Sequence, residues 1–233
     1  SKDEVDDKMI GTIVNVIAII IGSLIGILFN KFIPKRVKEI IFQALGLSTI
    51  LIGMQLALKT ENVLLVIFSL IIGGIIGELI HIEKKLKKFG ISLKKKLKSK
   101  DSKFVEGFVT TSLLFCVGAM AIVGSIEDGI NNNPSILLTK SLLDGFASIA
   151  FASALGFGVM FSAIPILIYQ GGLTLLAVYI KQYLTPSAIT EMSAVGGLLI
   201  IGIGLSLLNI KKIKIGNLLP SVLVAAILAI IFM

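Results

Sequence analysis

The sequence predicts an all-α polytopic transmembrane helix bundle of about eight spans with an inverted-topology internal repeat. Three observations predict this class. Apolar residues make up 55% of the 233 residues and the mean hydropathy is +1.00, which is more apolar surface than a water-soluble domain of this size could bury. These residues form segments of about 20, the length that crosses a bilayer core. Some of the segments also resemble one another.

Eight segments meet the length and hydropathy of a membrane span. They cover residues 10–29, 40–58, 63–82, 104–123, 142–160, 162–180, 193–210 and 216–233. The fifth and sixth share one long apolar stretch, in which Gly156, Gly158 and Pro165 mark the expected break. A re-entrant segment there is the alternative. We expect a polar tail or expression remnant at 1–8 and a single transmembrane domain over 9–233, with halves at about 9–123 and 136–233.

Positive charge predicts the orientation of the bundle. The formal charge is +8, and the connection 83–103 alone holds ten lysines against Glu83 and Asp101. Smaller basic connections lie at 30–39 and 211–215. Lys and Arg collect on the cytoplasmic side of membrane proteins, so we expect these three loops in the cytoplasm and both termini outside it.

The Lys-rich loop also carries an apolar seam, made of Leu86, Phe89, Leu93 and Leu97. That spacing predicts an amphipathic helix on the inner leaflet, with anionic lipids as partners of the lysines. Because the excess charge is confined to this loop beside apolar spans, we expect no nucleic-acid partner.

Two internal matches predict the repeat. The second span aligns with the seventh so that Gly46 falls on Gly197 and Gly53 on Gly204, and the first span aligns with the sixth at a similar offset. A shorter match places Glu106-Gly107-Phe108 on Asp144-Gly145-Phe146, and Gly118 on Gly156. No span, or an even number of spans, lies between the partners of each match, so the partners point in opposite directions, as in the inverted repeats of transporters and some channels.

Polar side chains at membrane depth are the candidate pathway residues, because their burial in lipid is costly. Asp144 and Glu106 are equivalent by the repeat and would build an ion site together; the alternative places both carboxylates at the headgroup level, favoured by the helix dipole. Lys140 lies four residues before Asp144, the spacing of an intrahelical ion pair. The other candidates are Gln170, Asn15, Gln43 and Gln55, with hydrogen bonding between helices as the alternative role.

Two further groups are weaker candidates. Glu78 and His81, one helical turn apart, suit a proton relay or an interfacial pair. Glu127 and Asp128 lie in a segment, 124–135, that we expect to be an ordered loop on the outer face, without the spacing of a calcium loop.

The remaining motifs exclude most other chemistry. One cysteine, one histidine and no catalytic or nucleotide-binding fingerprint give no metal site and no cofactor, and enzyme activity is not expected. The glycine pairs Gly22 with Gly26 and Gly73 with Gly77 permit close helix crossings, within the chain or in a homodimer.

Four stretches of the sequence carry a family resemblance: MIGTIVNVIAIIIGSLIG at Met9, GAMAIVGSIEDG at Gly118, KSLLDGFASIAFASALGFGV at Lys140 and YQGG at Tyr169. They resemble one family of bacterial membrane proteins, domain-of-unknown-function family 554. The resemblance implies a multi-spanning protein of the bacterial plasma (inner) membrane, and it supplies neither a substrate nor an established site.

These observations favour a membrane transport protein that moves a small ion or small solute between inverted repeats. An ion channel of the same architecture and a non-transporting scaffold or assembly protein remain as alternatives. A scaffold would pack the polar residues dry against one another, whereas a pathway would hydrate them.

Overall fold

A computed structural model of the chain describes residues 9–30, 34–117, 119–180 and 185–233. Within these ranges it contains helices and connections but no β-strand, which confirms the predicted all-α class. The helices are α1 (Ile10–Asn30), α2 (Lys35–Ala57), α3 (Val63–Ile80), α4 (Ile82–Lys96), α5 (Phe104–Val117), α6 (Ala119–Asn131), α7 (Ser135–Leu155), α8 (Ala163–Ile180), α9 (Pro186–Leu207), α10 (Ile215–Leu218) and α11 (Pro220–Phe232). The predicted tail 1–8, Lys31 of the first basic connection and Gly118 lie outside the described residues.

Length and hydropathy confirm a multi-pass membrane protein. Six helical stretches of the described residues are long and apolar enough to cross a bilayer: Ile10–Phe29, Glu39–Ala57, Val63–Ile80, Ser135–Ala177, Pro186–Leu207 and Ile215–Phe232. The pair α5 and α6, bent by 61°, makes a seventh if it counts as one span. The predicted fourth span is therefore a pair of helices with a bend between them, either a broken span or a re-entrant loop.

The 43-residue stretch Ser135–Ala177 contains two α-helices, α7 and most of α8, joined by a 3-10 helix over Gly156–Ser162. As one straight helix it would be about 65 Å long, twice the thickness of the hydrocarbon core. The chain instead leaves α7 at Gly156, whose φ of +77° favours glycine. Asn15 then hydrogen-bonds both Asp144 on α7 and Gln170 on α8, which requires the two helices to be antiparallel. Each is long enough to cross, which favours two spans over a re-entrant segment.

The chain forms two compact units, each drawn from both predicted halves. Unit 1 comprises Ser1–Ile41, Gly90–Cys116 and Met120–Lys181. Unit 2 comprises Phe42–Phe89, Val117–Ala119 and Gln182–Met233.

In unit 1, glycines bring α1 and α7 into backbone contact. A β-carbon added at Gly22 would lie 2.2 Å from the carbonyl oxygen of Gly145, and one at Gly26 would lie 2.3 Å from that of Ile149. Both contacts advance by four residues in the same direction, so α1 and α7 are parallel. Parallel packing requires an odd number of crossings between the two helices; α2, α3 and the bent pair α5 and α6 supply three.

In unit 2, α2 and α9 cross antiparallel through four glycines. A β-carbon at Gly53 would lie 2.6 Å from the carbonyl oxygen of Gly197, and the reverse distance is also 2.6 Å. Further along, a β-carbon at Gly204 would lie 2.9 Å from the carbonyl oxygen of Gly46. The helices α3 and α11 also pack closely, since Gly73 abuts the backbone of Ser221.

The prediction of a loop over 124–135 is wrong for most of that segment, because α6 continues to Asn131. Its Gly and Asn content is typical of turns, but tertiary packing overrides that preference: Gly129 abuts the carbonyl oxygen of Thr174 on α8. The helix ends before Asn132, which has a positive φ of 48°.

The predicted amphipathic helix in the Lys-rich loop is present as α4. Gly90, on the same side as Leu86 and Leu93, packs against the ring of Phe108, while Phe89 and Leu97 are exposed.

Candidate functional site

Four of the predicted polar residues come together inside unit 1, and we call Asn15, Lys140, Asp144 and Gln170 the polar cluster. All four are buried: Asn15 and Gln170 are fully inaccessible, and Lys140 and Asp144 are 4% and 7% exposed. They come from three helices, because α1 carries Asn15, α7 carries the charged pair and α8 carries Gln170. The close glycine packing of α1 on α7 holds these side chains within hydrogen-bonding distance.

The Asn15 amide bridges the polar cluster. Its Nδ2 donates to Asp144 Oδ2 at 3.0 Å and to Gln170 Oε1 at 3.1 Å. The Lys140 ammonium forms an ion pair with the same Asp144 oxygen, at the helical spacing read from the sequence, and lies 5.8 Å from the centroid of the Phe115 ring. The charged pair is neutral overall, which lowers the cost of its burial.

Two atoms of the polar cluster are left open. Asn15 Oδ1 is an acceptor and Gln170 Nε2 a donor, and both are buried with no hydrogen-bond partner in the described structure. Buried polar groups are nearly always hydrogen-bonded, and ordered water or a ligand supplies the partner where protein does not. The cluster therefore offers a donor and an acceptor to a small polar guest beside a neutral ion pair.

Other buried polar atoms without a partner surround the polar cluster. They are Thr12 Oγ1 and Ser23 Oγ on α1, Asp128 Oδ1 on α6, Ser148 Oγ on α7 and Thr174 Oγ1 on α8. All of these helices belong to unit 1. From Thr12 to Ser23 is a rise of about 16 Å along α1, roughly half the hydrocarbon thickness.

The structure does not bring the other pathway candidates to the polar cluster. Glu106 is exposed in the first turn of α5, although the repeat makes it the counterpart of Asp144. Gln43 and Gln55 are exposed on the part of α2 that belongs to unit 2.

Glu78 binds partners other than His81. Its carboxylate accepts hydrogen bonds from Lys214 Nζ at 2.8 Å and from Asn217 Nδ2 at 2.6 Å. The hydrogen bond that Lys214 donates to Glu78 raises the pKa of the Lys214 ammonium. His81 is exposed at the C-cap of α3 with a left-handed backbone. The proton-relay hypothesis gains no side-chain contact here.

Glu127 and Asp128 have unlike environments. Glu127 is half-buried and accepts from Asn131 Nδ2 at 2.8 Å. Asp128 is fully buried, and its Oδ2 accepts from the Gly11 backbone N–H at 3.0 Å, at the start of α1.

Sequence reasoning missed one fully buried acid, Glu191 in unit 2. Its carboxylate accepts from Thr60 Oγ1 and Glu61 N, both at 2.7 Å, and from Asn62 N at 3.1 Å, so it anchors the start of α3. A seventh span that began at Pro186 would have identified Glu191 as an intramembrane acid.

The chain matches a family model described as "Protein of unknown function (DUF554)" over residues 10–230. It is similar to the "Uncharacterized membrane protein YdfK" of Bacillus subtilis (strain 168), with 37% identity over 93% of each chain. It is also similar to the "Uncharacterized protein YqgA" of Escherichia coli (strain K12), with 33% identity over 93% of this chain and 94% of that one. No solved structure matches it.

Proposed function

We propose that this chain, which belongs to the DUF554 family, is a membrane transport protein that moves a small ion or small polar solute through the polar cluster. The carrying observation is the buried Lys140–Asp144 pair, bridged by Asn15 to Gln170, with an acceptor and a donor left open. Charged groups at membrane depth typically line ion or substrate paths.

Two features support the inverted repeat as part of this proposal. At the α2–α9 crossing, Gly46 contacts Gly204 and Gly53 contacts Gly197. The sequence match makes Gly46 equivalent to Gly197 and Gly53 to Gly204, so exchanging the two helices maps one contact onto the other. A twofold axis between the helices has this consequence.

The second feature is a shared break. In the shorter match Val117 is equivalent to Leu155; Val117 lies just before the 61° bend between α5 and α6, and Leu155 is the last residue of α7. Each compact unit also holds both members of the matched pairs: α1 with α8 and α5 with α7 in unit 1, and α2 with α9 in unit 2. Inverted repeats allow a transporter to alternate between two equivalent access states.

The open polar atoms favour a pathway over a scaffold. A scaffold would satisfy its buried polar groups internally, whereas seven buried side-chain atoms of unit 1 have no partner among the described residues. An ion channel of the same architecture is the second candidate, and saturation of flux separates the two. The proposal includes no enzymatic activity.

The remaining features of the proposal concern the surroundings. We place the protein in the bacterial plasma (inner) membrane with the loops 30–39, 83–103 and 211–215 in the cytoplasm, both termini outside, and α4 on anionic lipids. Nucleic acid is not a proposed partner. Four glycines suggested a homodimer from the sequence, but each of them packs within this same chain: Gly22, Gly26, Gly73 and Gly77. They therefore do not support a homodimer.

The test is a solute-resolved flux assay on purified protein in liposomes, screening sodium, potassium, protons and small anions with and without a membrane potential. The decisive variant is the double change Lys140→Gln and Asp144→Asn, which removes both charges of the pair and leaves neither partner as an unpaired buried charge. We expect selective flux from the wild type and at least a tenfold loss in the double variant. The matched control is Glu39→Gln, an exposed carboxylate on α2.

Full flux in the double variant would make the charged pair structural. If the wild type transports none of the tested species, the non-transporting scaffold becomes the favoured function.

A further inference from the structure

The buried charges of unit 1 do not balance. Its buried charged side chains, within the described residues, are Asp128, Lys140 and Asp144. Two carboxylates and one ammonium leave one negative charge. Lys140 pairs with Asp144, so the uncompensated carboxylate is Asp128.

Asp128 has one hydrogen bond and one open oxygen. Its Oδ2 accepts from Gly11 N at 3.0 Å, while Oδ1 is buried with no partner in the described structure. The amide lies at the start of α1, where the helix dipole offers only part of a positive charge. A lone buried carboxylate is among the groups that cost the most free energy to bury in a protein interior. A cation bound at this oxygen would lower that cost.

Two hydroxyl-bearing residues lie on helix segments that contact Asp128 or its neighbour in the chain. Thr12 follows Gly11 on α1, and Thr174 lies on α8 where its backbone carbonyl abuts Gly129, the residue after Asp128. Both side chains are at least 97% buried, and both Oγ1 atoms are without a partner among the described residues. Unlike the polar cluster, this set presents oxygen atoms alone.

We propose that Asp128, with the hydroxyls of Thr12 and Thr174, binds one sodium ion. Oxygen donors suit a hard cation. One uncompensated negative charge matches a monovalent ion, whereas calcium and magnesium sites normally gather more carboxylates or waters. A β-carbon added at Gly129 would lie 2.3 Å from the Thr174 carbonyl oxygen, so α6 and α8 are in backbone contact next to Asp128. Because such close packing leaves little room, we expect sodium to be preferred over the larger potassium ion. This site is separate from the guest site of the polar cluster and does not require that the protein transport anything.

The test is ion binding by the purified full chain in detergent. Radiolabelled sodium should bind with a stoichiometry of one, and sodium should raise the Tm more than potassium or choline at equal ionic strength, because a ligand stabilises the state that binds it. Asp128→Asn should abolish both effects. The matched control Glu127→Gln, which changes the neighbouring acid on the same helix, should retain both.

A second variant covers the case in which Asp128→Asn does not fold. Thr174→Val keeps the shape of the side chain and removes its hydroxyl, so sodium affinity should fall about tenfold, a loss of one ligand. Sodium-dependent stabilisation that survives in Asp128→Asn would overturn the proposal. So would a wild type that binds no sodium, including one stabilised by acid alone, which would mark Asp128 as a proton site.

Discussion

At the scale of single residues, the buried ion pair dominates the chemistry of unit 1. Lys140 and Asp144 stand one helical turn apart on α7, and both are nearly inaccessible. Removing one partner leaves an uncompensated charge, whereas removing both leaves polar but neutral groups. The pair should therefore have a measurable effect on stability.

We expect Lys140→Gln and Asp144→Asn, each alone, to destabilise the protein by about 3 kcal/mol or more, and the double variant to recover most of that loss. Thermal unfolding of the four proteins in detergent gives the coupling between the two sites. Additive losses would mean that the two side chains do not interact as a buried pair.

Glu191 should behave differently, because it accepts hydrogen bonds from neutral donors. Its carboxylate satisfies two backbone N–H groups at the start of α3 and the Thr60 hydroxyl. We expect Glu191→Gln to lower stability by about 1–3 kcal/mol, measured as a lower Tm. The control Glu61→Gln alters an exposed neighbour and should leave the Tm unchanged.

At the scale of helices, glycine decides which pairs can approach. The α2–α9 crossing and the α1–α7 pair both have glycine carbonyls within 3 Å of the space that a side chain would need. These contacts use backbone against backbone, so the neighbour cannot move aside. Small residues are the usual means of close packing in membranes, where lipid removes the hydrophobic drive between helices.

We predict that Gly53→Ala will destabilise the protein by about 1–3 kcal/mol, the usual cost of overpacking, because its new methyl group meets the Gly197 carbonyl at 2.6 Å. Gly172→Ala is the matched control, since nothing lies within 4 Å of its added carbon. It should be neutral or slightly stabilising, because alanine favours a helix. Equal Tm values for the two variants would contradict the crossing.

The sequence predicts the helices well and their ends less well. Hydropathy located the long apolar helices and the break at Gly156, because lipid requires long apolar runs. It placed the start of the seventh span at 193 instead of 186, because the first two turns of α9 contain Glu191, a charged residue that is buried by protein. It also missed that α6 extends through Asp128, since packing on α8 outweighs local turn preference.

The site was predictable only in part. Single residues such as Asn15, Asp144 and Gln170 stand out because polar groups are rare in apolar spans. These residues meet through contacts between positions more than 100 residues apart. The composition of the sequence does not predict which distant residues will be in contact. Glu106 illustrates this limit, because the repeat relates it to Asp144 although it lies exposed on α5.

At the scale of the whole molecule, the topology that we propose, with eight crossings and the three basic loops in the cytoplasm, can be tested. Cys116 is the sole cysteine, so Cys116→Ala provides a cysteine-free background. We expect Lys59→Cys and Asn132→Cys to react with a membrane-impermeant maleimide on intact cells. Ser99→Cys and Lys212→Cys should react only after the membrane is permeabilised. Labelling of Ser99→Cys and Asn132→Cys from the same side would contradict the crossing by α5 and α6.

The pairing of α1 with α7 also sets an order of events during synthesis. Asn15 finds its partner Asp144 only 129 residues later. At about 5–20 residues per second, the ribosome needs roughly 6 to 26 s to deliver that partner. Throughout this interval the polar face of the first helix must wait in lipid or against the insertion machinery. We therefore expect biogenesis of this protein to depend on the lipid or insertion machinery that protects α1 until α7 has been made. A ribosome that pauses before α7 should leave α1 susceptible to degradation.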